Sequence, residues 1–168
     1  NSPFHYLDEM PEDLFSGIPE DRQRTYHAYI RAMAQRTFVV DPELQTYVPE
    51  ALIVPRAVEL GEPAVPNAHH GPLKVVHAPS RRAVKGTQAV KDSVDRLQRR
   101  GVEIDLRLIE DMSHDEALAA YRSADVVVDQ LRIGWYGVVA VEAMAMGKAV
   151  VSFIRDDLKH HLPWPWPL

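Results

Sequence analysis

The sequence predicts an α/β fold, a parallel sheet with flanking helices, over residues 74–154. Three observations carry that prediction. β-prone runs alternate with helical patterns from Lys74 to Ile154. The connections between them are short, so the strands run parallel through right-handed crossovers. The rhythm begins only after residues 61–73, where Gly61, Pro63, Pro66, Asn67, Gly71 and Pro72 punctuate rather than continue structure. The chain thus divides into an N-terminal segment with a crossover (1–60), a linker (61–73) and an α/β domain (74–168).

Each element has a local reason. Residues 1–19 hold Pro3, Pro11 and Pro19 between acids and scattered aromatics, and read as an irregular arm. Residues 20–36 read as a helix, with Tyr26, Ile30, Met33 and Ala34 on one face. Thr37 to Val40 is a short β-prone run. Asp41-Pro42-Glu43 reads as an N-cap, a first-turn proline and a first-turn acid. Leu52-Ile53-Val54 is a second short strand, closed by Pro55. Beyond the linker, Lys74 to Ala78 reads as a strand and 87–100 as a helix facing inward through Val90, Val94 and Leu97. Gly101 should end that helix in the left-handed conformation. Ile104 to Ile109 alternates as a strand does, and Ser113-x-x-Glu116 is a capping box opening a helix to about Arg122. Asp125 to Val128 is an apolar strand, 136–146 a nearly all-apolar helix, and Lys148 to Ile154 the last strand.

Composition excludes several classes. The 168 residues are 46% hydrophobic and 26% charged, the balance of a folded globular chain rather than a disordered one. A net charge of −5 argues against a dedicated nucleic-acid binder. No apolar run reaches the roughly 20 residues that span a bilayer, and no signal-peptide pattern is present. With Cys at 0, disulfides and thiolate metal sites are excluded, and the expected compartment is the cytoplasm. The chain opens on Asn1 and closes on Pro163-Trp164-Pro165-Trp166-Pro167-Leu168, ends that read as cut or processed.

In a doubly wound sheet, ligands sit at the carboxyl ends of the strands, which directs attention to three loops. The first, Pro79 to Thr87, sets Arg81, Arg82 and Lys85 just before a helix start, where free N–H groups and the dipole already favour anions. Guanidinium and ammonium groups there suit a phosphate or diphosphate; the alternative is a solvated basic loop. It is not a P-loop, because the G-x-x-x-x-G-K-[ST] spacing is absent. In the second, Glu110-Asp111-Met112-Ser113, the acids are expected to serve the helix start electrically rather than catalysis. The third runs from Asp129 to Gly137. Gly134 and Gly137 bracket Trp135 and Tyr136 and would let a ligand approach the backbone. Glu142 is the one acid in an apolar helix, so it must be paired or bound. A vicinal diol such as a ribose would satisfy it, and so would a Lys or Arg. His77, at the end of a strand on the same edge, is either a ligand-edge group or a satisfied core histidine. The adjacent pairs His69-His70 and His160-His161 lack the i, i+4 spacing of a helical zinc pair. Met144 and Met146 read as packing residues.

The block from Lys74 to Leu158 resembles the C-terminal, donor-binding domain of retaining GT-B-fold glycosyltransferases of the family-4 type. Lys85-Gly86-Thr87 is similar to that family's Lys-Gly turn after the first strand, and Ala124 to Val128 to its Ala-Asp-Val strand. Gly137 to Val150 is similar to its Gly-hydrophobic-Glu-Ala-Met-Ala-x-Gly-Lys-Pro-Val signature. Residues 37–60 resemble the end of that family's N-terminal domain and its hinge. The resemblance implies a Rossmann-like parallel sheet with flanking helices and a nucleotide-sugar donor. It implies catalytic roles for Lys85 and Arg82 on the donor diphosphate, and Glu142 on the ribose. Ser80, Gly86, Gly134, Trp135, Tyr136, Gly137 and Val138 would line the site. No metal and no separate cofactor are expected, and the acceptor is left open. Two departures stand out: Gly134 occupies the place of the family's first Glu, and Ser80 that of an Arg, with Arg81 and Arg82 displaced toward Lys85. The 60 residues before the linker are too few for a first domain of ordinary size, ~100–200 residues, so a truncated enzyme is the expectation. The competing expectations are a non-catalytic nucleotide-binding or interaction module and a nucleotide-sugar epimerase. An uncovered sheet edge, with Trp164 and Trp166, makes a homo-oligomer a further expectation.

Overall fold

The computed structural model describes residues 20–59 and 71–162. The predicted arm 1–19, most of the linker, His69-His70, Trp164 and Trp166 lie outside the described residues. Contacts divide the chain into two compact units, residues 56–159 and residues 1–55 with 160–168.

In the smaller unit, helix α1 spans Glu20–Met33, three residues shorter than the predicted 20–36. Its apolar stripe is not buried: Tyr26, Ile30 and Met33 are all exposed. Strands β1 (Phe38–Val39) and β2 (Leu52–Ile53) pair in parallel, with Phe38 opposite Leu52 and Val39 opposite Ile53. Between them Pro42–Thr46 forms a 3-10 helix. Asp41 stands at its N-cap in extended backbone, but the side chain makes no capping bond. Gln45 Nε2 donates to the Ala51 carbonyl at 2.7 Å, fastening this turn to the entry of β2.

The larger unit holds a four-stranded parallel sheet in the order β4-β3-β5-β6, with β3 Leu73–His77, β4 Ile104–Leu108, β5 Val126–Val128 and β6 Ala149–Val151. Val75 lies opposite Leu106 on one side and Val126 on the other, and Val127 opposite Val150. Successive strand residues face opposite ways, and both faces are covered. Val76 and Val127 pack with Ala120, Tyr121 and Ala124 and with Ala143 and Met146. Val75 and Val128 pack with Val90, Val94 and Ile104. The first layer belongs to helices α4 (His114–Ser123) and α5 (Val138–Ala145), the second to α3 (Thr87–Gln98). This is the α/β architecture read from the sequence, and its topology is compatible with a Rossmann-like fold.

Helix ends follow local chemistry. The Ser113 capping box is complete: the Glu116 amide donates to Ser113 Oγ, and Glu116 Oε2 accepts from the Ser113 amide at 2.8 Å. Those bonds hold the Glu116 carboxyl below its usual range. Gly101, at φ +86°, ends α3 as expected, in backbone that disfavours a Cβ. The first cationic loop contains an unanticipated one-turn helix, α2 (Arg82–Lys85). Gly86, at φ +76°, closes α2 and opens α3, so one left-handed residue serves both ends. The last strand is three residues rather than seven, and Asp156–His161 forms a 3-10 helix. Among the described residues no helix is long and apolar enough to cross a membrane.

Candidate functional site

The strand order identifies the edge where a ligand would sit. The chain leaves β3 toward β4 on one side, then returns to β5 on the other, so the connections diverge between β3 and β5. A crevice at the carboxyl ends of such a strand pair is where open α/β sheets bind ligands. The loops after β3 and β5 meet there.

Their meeting point is polar and buried. Lys85, at the end of α2, places Nζ 3.1 Å from Asp129 Oδ1 and 2.5 Å from Gln130 Oε1. The other Asp129 oxygen accepts the Gly137 N–H at the start of α5. Gln130 in turn donates through Nε2 to the Trp135 carbonyl. A side chain at Gly137 would not fit, because its Cβ would fall 2.9 Å from Asp129 Oδ1 and 3.1 Å from Lys85 Nζ. Below this knot His77 is fully buried. Its Nδ1 lies 2.8 Å from the Val128 carbonyl and its Nε2 2.9 Å from Thr87 Oγ1. A carbonyl only accepts, so Nδ1 carries the proton and Nε2 accepts from the Thr87 hydroxyl. Burial lowers the His77 pKa, with nearby Lys85 acting the same way against the Val128 bond, and the ring stays neutral. Of the two expectations for His77, the structure matches the satisfied core histidine.

Between the loops after β3 and β4 lies a cleft of about 630 Å³, whose walls do not include Lys85, Asp129 or Gly137. Ser80, Arg82, Glu110, Ser113, His114 and Tyr121 are among the residues on its walls. Arg82 forks onto Glu110, Nε to Oε1 at 2.7 Å and Nη2 to Oε2 at 2.5 Å. This bidentate pair raises the Arg82 pKa and holds the Glu110 carboxyl down. Glu110 therefore serves Arg82 and not the helix start as expected; Asp115 and Glu116 fill the first turn of α4. Asp111, also on the cleft wall, takes a positive φ of 54°. Tyr121, buried at the back, is pushed up to about 12, by burial first and then by Glu142 and Asp129.

Glu142 emerges from α5 with its side chain 11% exposed, and the His114 imidazole lies beside it, Nε2 3.5 Å from Oε1. Burial raises the Glu142 pKa and His114 opposes that. Gly134 is buried, and its carbonyl accepts from the Arg155 amide at 3.0 Å. Trp135 is buried and Tyr136 half-buried, their rings 4.8 Å apart and tilted, while Val138 is exposed at the first turn of α5. Gly86 is buried against Leu131 and Arg132. So Lys85 and Gly137 come together, Ser80 and Arg82 share the cleft, and Glu142 reaches it through His114.

Sequence reasoning assigned no role to Asp129, Gln130, Thr87, His114 or Tyr121. The signal for Asp129 was present: an acid at the end of an apolar strand is buried by its neighbours and must find a donor. Among the described residues no three His, Asp or Glu side chains gather closely enough to hold a metal. Comparison with known proteins returned no matching family model, no matching curated protein and no matching solved structure.

Proposed function

We propose that this chain binds a nucleotide-sugar through the carboxyl edge of its parallel sheet and belongs to a retaining, metal-independent glycosyltransferase. The observation that carries the reading is the position of the motif residues. Lys85 and the Gly134–Val138 turn, singled out by resemblance to GT-B donor domains, stand on the two loops that meet where the strand connections diverge. The cleft between the loops after β3 and β4, at about 630 Å³, falls within the range of small-ligand sites. In this reading Ser80 and Arg82 contact the diphosphate, Glu142 accepts from ribose hydroxyls, and Lys85 stabilises charge gathering on the departing diphosphate. The acceptor of the glycosyl group is left open, and the nucleotide panel below names the base and the sugar.

A second reading, a nucleotide-binding module without turnover, is favoured by one observation. Both cations already hold carboxylates, Lys85 with Asp129 and Arg82 with Glu110. The experiment is thermal unfolding with UDP, GDP, ADP and their sugar conjugates, repeated on Lys85→Ala and Glu142→Ala. A ligand at 100 times its dissociation constant stabilises by about 2.7 kcal/mol. A shift with one nucleotide, lost in both variants, supports the assignment. No shift with any nucleotide rejects it. Product analysis with the sugar conjugate then separates transferase from binding module.

A further inference from the structure

Asp129 is a buried charged group that the proposed function leaves unused. Its carboxylate is the innermost part of the knot: the side chain is 0% exposed, against 13% for Lys85. One oxygen accepts from Lys85 at 3.1 Å, the other from the Gly137 amide. Gln130 Oε1 takes a second ammonium proton, and the bond from Gln130 Nε2 to the Trp135 carbonyl fixes which way that amide faces. An ammonium carries three protons. Two are committed inward to residues 129 and 130, which leaves one for the solvent side. The buried Asp129 carboxylate lies 3.1 Å from that ammonium. Coulomb repulsion falls only as the inverse of distance, and buried charges are weakly screened. An anion arriving on the outer side of Lys85 therefore meets the ammonium with Asp129 subtracted from it.

We infer that Asp129 is a positioning residue that sets the affinity of Lys85 for phosphate-bearing ligands: its charge, held against the ammonium, weakens the ammonium's hold, so that a diphosphate is bound and then released. This rests on the proposed role of Lys85 as the diphosphate's cation. A purely structural acid and an affinity-setting one predict opposite signs. Losing a structural brace loosens the site and weakens binding. Losing an opposing charge strengthens it, and only while Lys85 is present.

The test is calorimetric titration of inorganic pyrophosphate at fixed ionic strength into four proteins: wild type, Asp129→Asn, Lys85→Met and the double variant. Asn keeps the side-chain shape while removing the charge and one of the two acceptor oxygens. The expected result is at least fivefold tighter binding in Asp129→Asn, and no difference between Lys85→Met and the double variant, the non-additivity of two residues acting as one. Unchanged or weaker binding in Asp129→Asn overturns the inference, as does the same tightening without Lys85. If Asp129→Asn does not fold, Asp129→Ser must show the same Lys85-dependent tightening. If neither folds even with pyrophosphate present, Asp129 is a structural acid and the inference falls. The donor reading fails separately: a wild type that binds no nucleoside diphosphate removes that reading, while a Lys85-dependent gain for pyrophosphate keeps this one.

Discussion

Replacing Gly137 with Ala adds one methyl group at the point where two loops are tied together. The backbone does not object, because Gly137 sits at φ −90° and ψ −179°, which any residue adopts. The difficulty is space and polarity. The new Cβ would lie 2.9 and 3.1 Å from the two Asp129 oxygens and 3.1 Å from Lys85 Nζ. The carboxylate is fully buried and bonded on both oxygens, so it cannot swing into solvent. Overpacking of this kind costs about 1–3 kcal/mol, and weakening a hydrogen bond to a charged group adds about 1.5–3 kcal/mol. A net loss of about 3 kcal/mol follows, since relaxation spares part of each. For a chain of this size that lowers the melting midpoint by about 6–12 °C. Denaturant titration of Gly137→Ala and wild type at pH 7 measures the difference. A Gly137→Ala protein within about 0.5 kcal/mol of wild type, the usual span of neutral substitutions, would refute the picture of a close-packed ionic knot.

Two further predictions concern titration. Burial raises the Glu142 pKa, so its charge opposes folding once pH passes through the raised value, and the stability tied to the neutral form is complete below 4.5. Glu142→Gln should therefore melt higher than wild type at pH 7 while losing nucleotide affinity, and the stability gain should vanish below pH 4.5. A lower midpoint at pH 7 would show that His114 more than compensates the carboxylate. His77 has the opposite sign: its pKa lies below 6.5, so its contribution is present above pH 6.5 and lost as pH falls through the depressed value. Urea titrations of wild type and His77→Gln between pH 5 and 8 should show a wild-type decline on the acid side that the variant lacks; parallel profiles would assign that decline to other groups.

The sheet and its helices were legible because their signals are local and repeated. Val75-Val76 and Val126-Val127-Val128 are apolar on adjacent residues, which suits a strand covered on both faces. Ser113 and Glu116 cap α4 through bonds three residues apart, so the sequence alone states them. Gly101 ends α3 for the same reason. Edges of elements were less legible. The strand predicted for Lys148 to Ile154 keeps three paired residues, because β6 can extend only as far as β5 lies beside it. The apolar stripe of α1 predicted a buried face, yet periodicity says only which residues share a side, not whether anything lies against it.

By itself the sequence determined the α/β class, the capping box that starts α4, the glycine that ends α3, and the loops that carry chemistry-bearing side chains. Those properties depend on residues within a turn or two of each other. Only the tertiary structure decided what those side chains meet. Lys85 finds Asp129 and Gln130 from 44 and 45 positions away, Arg82 finds Glu110 from 28, and His77 finds Val128 from 51. Each of these partners lies at the carboxyl end of a neighbouring strand or on the loop that follows it, so the strand order β4-β3-β5-β6 sets the pairing. Charge and burial are properties of neighbours in space, and the spacing of residues along the chain does not contain them.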